Sequence, residues 1–365
     1  MRAWLKAHSS KDWLLSLFLG LGLVLFVWHT KAQPGLDIVF LPHLGLAIIV
    51  CVVTLVLLKG FSLGSKFIWI PLAVICGFIA LNSIIYSRLE NFAFAFIIFG
   101  VYLASRKLGD KLFYAFAPFV ILESISLVII GLNNPGMQQG GMLSTGNYDI
   151  ATGFLLFGSL MYPGKHRWVL LVLSGIGIWF TGAFEAPVIL AVVAIGIFVK
   201  KDFGRKLYII IAAVVLVALM SFALDIPQKL WIYWGQRITG DMVINDEILY
   251  ENAMSGRFDV YKQSLSELKL FGNGYEANVF TGRTVHNVPL IIVDQIGVIP
   301  ALAWLFLTVF LLFKTRYKYA MLMIIGASLL DHYTWTQAAL WYPAVAGVAS
   351  NSIGEKWHYI FKDKV

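Results

Sequence analysis

The chain has 365 residues, of which 59% are hydrophobic and only 13% charged, with a mean hydropathy of +0.79. Soluble domains carry about 25% charged residues, so this composition excludes one and points to an integral membrane protein with many spans. The formal net charge of +8 would suit nucleic acid, but the positions of the basic residues assign that charge to membrane topology instead, so no nucleic-acid partner is expected.

Apolar runs bounded by charged or Gly/Pro-rich breaks predict spans in chain order. The first five lie near 13–29, 37–58, 67–86, 91–105 and 112–132. No clear small-residue cleavage site follows the first run, so it reads as a span and not as a signal peptide. An external Gly-rich stretch over 133–149, "NNPGMQQGGMLSTGNYD", reads as a mobile or binding loop rather than a packed element. Spans near 150–162 and 168–181 follow. Both are shorter than the roughly 20 residues a straight helix needs to cross the hydrocarbon core, so they must borrow flanking residues or be partly buried in protein. Spans near 183–199 and 207–224 lead to an external loop over 225–286. Within it, "RFDVYKQSLSELKL" places Phe258, Tyr261, Leu265 and Leu268 at helical spacing, predicting an amphipathic helix that ends at Gly272 and Gly274. Spans near 287–313, 319–334 and 337–353 complete a set of about twelve in one all-α polytopic domain over 1–365.

The basic residues fit this order. With both termini in the cytoplasm, all but eight of the 28 Lys and Arg fall on the inside. The exceptions are Lys31, Arg88, Lys229, Arg237, Arg257, Lys262, Lys269 and Arg283. Every cytoplasmic loop therefore obeys the positive-inside rule. Cys51 and Cys76 sit in apolar runs and suggest neither a disulfide framework nor a metal site.

Charges at membrane depth are costly and are functional candidates by default. Asp149, Glu185, His286 with Asp294, and Asp331 with His332 lie near outer span ends, and Glu123 is mid-span. Asn287 and Asp294 are seven apart and share a helix face, so with Arg257 and Arg283 they could line one outward cavity. Each also has a plain structural alternative. Glu123 would hydrogen-bond a neighbouring helix, Asp294 would pair with an arginine or a helix N-terminus, and Arg283 would anchor the boundary. No phosphate-binding Gly loop, zinc motif or paired-acid metal site is found, so neither a cofactor nor a metal is expected.

The stretch "SGRFDVYKQSLSELKLFGNGYEANVF" followed by "VHNVPLIIVDQIGVIPAL" resembles the signature region of the O-antigen ligase and polymerase family. The matching positions are Arg257 opening a helix, Gly272 and Gly274 after it, His286 and Asn287, and Gly297. "DHYTWTQAALWYPAVAG", from Asp331, is similar to a segment near the end of many members. The resemblance covers about 257–345, and beyond that it lies mainly in topology. It implies a GT-C-like membrane fold and, on the outer face of the cytoplasmic membrane, metal-independent, inverting transfer of a glycan. The donor would be an undecaprenyl-diphosphate-linked oligosaccharide. The acceptor would be a hydroxyl of a lipid-linked repeat unit or a lipid A core.

The resemblance assigns Arg257 to the diphosphate and His286 to the general base. Arg283 would be a second phosphate contact, and Asn287, Asp331 and His332 contacts or orienters. Many members carry an arginine opening the eighth helix, where this chain has "FTGAFEAPVIL" with Glu185. Either another basic group such as Arg283 or Arg237 replaces it, or the donor is held differently, and Glu185 would face the acceptor sugar or position an arginine. The rival reading is a transporter or flippase for lipid-linked glycans. That reading requires paired inverted halves or broken helices in corresponding positions, which the sequence does not show.

Overall fold

A computed structural model describes residues 10–29, 41–58, 60, 62–87, 89–135, 137–144, 147–183, 243–244, 247–248, 261–262, 264–266, 268–274, 287–330, 334–335 and 338–362. Eleven helices are described: α1 Ser10–His29, α2 Leu41–Leu57, α3 Lys66–Ile85, α4 Leu89–Leu108, α5 Lys111–Asn133, α6 Tyr148–Met161, α7 Arg167–Trp179, α8 Val288–Ile296, α9 Val298–Lys314, α10 Lys318–Leu330 and α11 Trp341–Lys362. One antiparallel pair of two-residue strands, β1 Val243–Ile244 and β2 Glu247–Ile248, lies inside the external loop. α3 and α5 are long and apolar enough to cross a membrane. The expected spans near 183–199 and 207–224 lie outside the described residues.

Helix surfaces are apolar outward and mixed inward. On α5, Ile121, Leu122, Ile125 and Ile129 are exposed while Glu123 and Ser124 are buried. Water would penalise that arrangement, whereas hydrocarbon accepts it. α6 is buried from Ile150 to Met161. At about 1.5 Å per residue its 14 residues fall short of a bilayer core of about 30 Å. It is enclosed instead by α5, α7 and α10.

Aromatic packing sets the centre. Trp341 stacks on Phe157 at 4.9 Å and meets Phe154 edge-on at 5.9 Å. α11 presses its small residues against α4. A Cβ at Gly347 would overlap the Tyr102 carbonyl, so glycine permits the close backbone approach typical of helix pairs in lipid. The same crossing is pinned by Arg106 Nε donating to Ser350 Oγ (3.2 Å), while Tyr102 Oη donates to the carbonyl of Leu63, just before α3 (2.6 Å).

α3 and α9 run antiparallel. Phe67 meets Phe310 at 5.5 Å near one end, and Asn82 reaches the Gln295 carbonyl at the other. On the side read as cytoplasmic, Lys111 pairs with Asp12 at 2.5 Å, and Asp110 takes Arg316 and the Tyr317 hydroxyl. Burial, reinforced by the bond to Asp110, pushes the Tyr317 hydroxyl above its ordinary value, so it stays protonated and donates.

Three expectations change. The span drawn over 287–313 is two helices, because Gly297 at φ +99° interrupts it. The last two spans are shifted: α10 stops at Leu330, and residues 338–340 form a turn before α11. Residues 334–335, at the end of the expected span, lie in a turn. The amphipathic segment is helical at 261–262 and 264–266 but not at 268–269, so it ends sooner than the apolar spacing suggested.

The α4–α11 crossing can be tested by paired glycine substitutions. Gly347→Val should cost about 1–3 kcal/mol through overpacking. Gly326→Ala on α10, where a Cβ would meet nothing within 4 Å, should be neutral or stabilising. Thermal unfolding in detergent checks the contrast, and equal midpoints for the two variants would contradict it.

Candidate functional site

Of the residues that the resemblance assigns to the chemistry, only Asn287 is among the described residues. Arg257, His286, Arg283, Arg237, Glu185, Asp331 and His332 lie outside them, as does Phe258. What is described is the scaffold next to these positions in the chain.

Asn287 caps α8. Its side-chain oxygen accepts from Leu290 N at 3.1 Å, and its amide nitrogen donates to the Leu329 carbonyl at 3.3 Å. Both ends of the carboxamide are thus engaged in holding α8 to the end of α10. An asparagine before Val288-Pro289 is favoured here because its side chain meets an otherwise orphaned amide. Consecutive Cα atoms are about 3.8 Å apart, so this bond joins the chain neighbour of His286 to a residue two before Asp331.

The other end of α8 is held by loop residues 270–274. The helix breaks at Gly297, whose amide bonds back to the Ile292 and Val293 carbonyls (3.1 and 3.0 Å). The next carbonyls, of Asp294 and Gln295, accept from the backbone amides of Asn273 (2.6 Å) and Gly274 (3.1 Å). Loop residues 270–274 therefore complete the hydrogen bonding that the broken helix gives up. Gly272 and Gly274, at φ +73° and +117°, turn the loop into place, and a Cβ at Gly272 would overlap the Gln295 carbonyl. A Cβ at Gly297 would overlap the Leu270 carbonyl.

Asp294 is buried and accepts from Asn273 Nδ2 at 2.8 Å. Asp294 is thus tied to an asparagine of the loop and Asn287 to α10, and the arginines expected beside them lie outside the described residues. Gln295 side-chain oxygen accepts from Trp335 Nε1 at 3.0 Å, and Thr334 shares a 2.8 Å bond with Ser328. Trp335 and Thr334 belong to the segment beginning at Asp331.

Asn82 on α3 was not singled out from sequence. It donates to the Phe271 carbonyl (2.8 Å) and the Gln295 carbonyl (3.2 Å), and Tyr86 donates to the Gly272 carbonyl (2.9 Å). The available signal was an asparagine near the end of an otherwise apolar span, where an unmatched amide is costly.

A second buried polar centre lies around Glu123. Residues 140, 141, 143 and 144 of the loop after α5 are buried, so this part of the expected mobile or binding loop is packed. Glu123 accepts from the amides of Leu143 (2.7 Å) and Ser144 (3.1 Å) and from Ser126 Oγ (3.3 Å). Gln139 amide and side chain donate to the Thr181 and Phe180 carbonyls (2.9 and 3.0 Å), and Gln138 donates to the Gly182 carbonyl (3.1 Å). Glu123 thus bonds a loop, not a neighbouring helix, and acts as an acceptor for amides that lack helical partners. Gln138 and Gln139 tie that loop to residues 180–182, just before Glu185 in the chain.

Among the described residues no three His, Cys, Asp or Glu side chains gather as metal ligands. No family model matches the chain, and no curated protein matches it.

Glu123→Gln should be nearly as disruptive as Glu123→Ala. Two backbone amides address both carboxylate oxygens, so a glutamine must turn its NH2 toward one of them and leave a buried donor unmet, at about 1–3 kcal/mol. Faster amide exchange over 139–144 in both variants is the expected result. Wild-type protection in Glu123→Gln would show that the carboxylate is not needed.

Proposed function

We propose that this protein is a membrane glycosyltransferase of O-antigen ligase or polymerase type. It moves a glycan from an undecaprenyl-diphosphate donor to a hydroxyl of an acceptor glycan on the outer face of the cytoplasmic membrane. The reading is carried by one observation: the parts of the resembling pattern, far apart in sequence, converge on α8. The Gly272–Gly274 turn docks at its end, Asn287 ties its start to α10, and Trp335 of the late segment bonds Gln295. A pattern whose members pack together behaves as a structural unit, which a chance match would not.

In this mechanism a diphosphate leaving group gains charge as the C1–O bond breaks. Arg257, with Arg283 as second contact, neutralises it through paired hydrogen bonds to the phosphate oxygens. His286 takes the proton of the acceptor hydroxyl while its oxygen attacks C1 from the opposite face, which inverts the anomeric configuration. Protonation of His286 balances the negative charge released on the lipid diphosphate. With no metal in the scheme, preorganised cations carry the electrostatic stabilisation. Asp331 and His332 orient the acceptor or the base, and Glu185 and Arg237 are further substrate contacts.

The helix break at Gly297 favours one alternative, transport or flipping of the lipid-linked glycan, since interrupted helices are common in transporters. Its counterpart break in a second half is absent among the described residues.

His286→Ala should abolish transfer in reconstituted vesicles while the protein inserts and folds normally, and near-normal turnover would remove it as base. Chelators should leave activity unchanged, so loss that added Mg²⁺ or Mn²⁺ restores would contradict metal-independent transfer. With purified protein, lipid-diphosphate oligosaccharide and candidate acceptors, laddered products identify a polymerase and a single transfer identifies a ligase. Donor crossing the bilayer without transfer would favour the transporter.

A further inference from the structure

We infer that Asn82 is a positioning residue for the transfer reaction, holding in register the external loop that carries Arg257 on one side and His286 on the other. The inference rests on the glycosyltransferase reading above.

Asn82 is 2% exposed near the end of α3. Its amide nitrogen donates to Phe271 and Gln295, 189 and 213 residues away in the chain. One planar group therefore sets the spacing between the loop and the broken helix. Phe78, Asn82 and Tyr86 follow each other at four-residue intervals and share one face of α3. Phe78 stacks on Phe271 at 6.1 Å, and Tyr86 donates to the Gly272 carbonyl at 2.9 Å. Gly274 lies over the Tyr86 ring, where a Cβ would come within 3.5 Å. This stripe forms a seat for residues 271–274.

The seat matters because of where it falls in the loop. Arg257 precedes it and His286 follows it, so anchoring at 271–274 divides the long external segment into two shorter closures. Shorter closures restrict the positions available to each side. Reacting groups displaced by about 1 Å lose roughly 100-fold in rate. The described bonds of Asn82 go to backbone carbonyls of the loop and the broken helix, so it acts through the loop it holds.

The test uses full-length protein in vesicles with a lipid-diphosphate oligosaccharide and an acceptor glycan. Asn82→Leu removes both donors at similar size, and Asn82→Asp sets an oxygen against two carbonyls. Both should lower kcat about 10- to 100-fold. Acceptor KM should stay near wild type, the thermal midpoint should fall because buried carbonyls lose their donor, and amide exchange over 270–274 should quicken. Asn82→Gln, which keeps the donor, should recover part of kcat. If the first two variants fail to fold, Tyr86→Phe removes only the bond to Gly272 and should reduce kcat several-fold in a folded protein. Wild-type kcat in Asn82→Leu, or in Tyr86→Phe where that variant must stand in, overturns the inference while leaving the glycosyltransferase reading intact. Absence of any transfer by the wild-type protein sinks that reading itself, and the inference with it.

Discussion

The carbonyls of Asp294 and Gln295 are the point on which the described architecture turns. A continuous helix would have used them internally. The break at Gly297 strands them in a buried, apolar setting, where an unmet backbone group costs several kcal/mol. The external loop supplies the missing donors from Asn273 and Gly274, and Asn82 adds a third from α3. Breaking the helix and docking the loop are therefore one event. Neither is stable without the other, and the glycines at 272, 274 and 297 are what let the two backbones come close enough.

Glu123 solves the complementary problem. There the loop after α5 turns inward with unpaired amides, and a buried carboxylate provides the acceptors. One centre matches loop amides to helix carbonyls, and the other matches loop amides to a side chain. Both place irregular backbone inside the helix bundle, which lipid tolerates only where protein satisfies every polar group. Both also lie next in the chain to proposed substrate residues. The Glu123 loop is tied to residues just before Glu185, and the α8 assembly is tied to residues flanking His286 and Asp331. In the proposed reaction, rigid packing beside the assigned groups would keep their geometry preorganised.

Much of the helical order was legible because hydrophobic runs and basic loops each carry an independent physical signal. The runs near 67–86 and 112–132 correspond closely to α3 and α5. The roles of polar residues were harder to read. Asp294 was recognised as anomalous, but its partner Asn273 lies 21 residues earlier, across a turn whose path depends on three glycines. The spacing of Asn287 and Asp294 placed them on one helix face without revealing that each is already engaged elsewhere. The loop at 133–149 looked mobile because its composition is that of a turn, and composition cannot register a carboxylate waiting at mid-helix.

The sequence by itself determined the approximate helix order, and it predicted a lipid solvent and an inside–outside bias of charge. These follow from local properties: transfer free energy per residue, backbone freedom at glycine, and the cost of charge in hydrocarbon. Only the tertiary structure decided which orphaned backbone groups meet which partners. Asn82 with Gln295, Asn273 with Asp294 and Glu123 with Leu143 are matches between distant segments. Hydrogen-bond satisfaction in a dry interior is a property of the whole packed bundle, and no window of sequence contains both halves of such a pair.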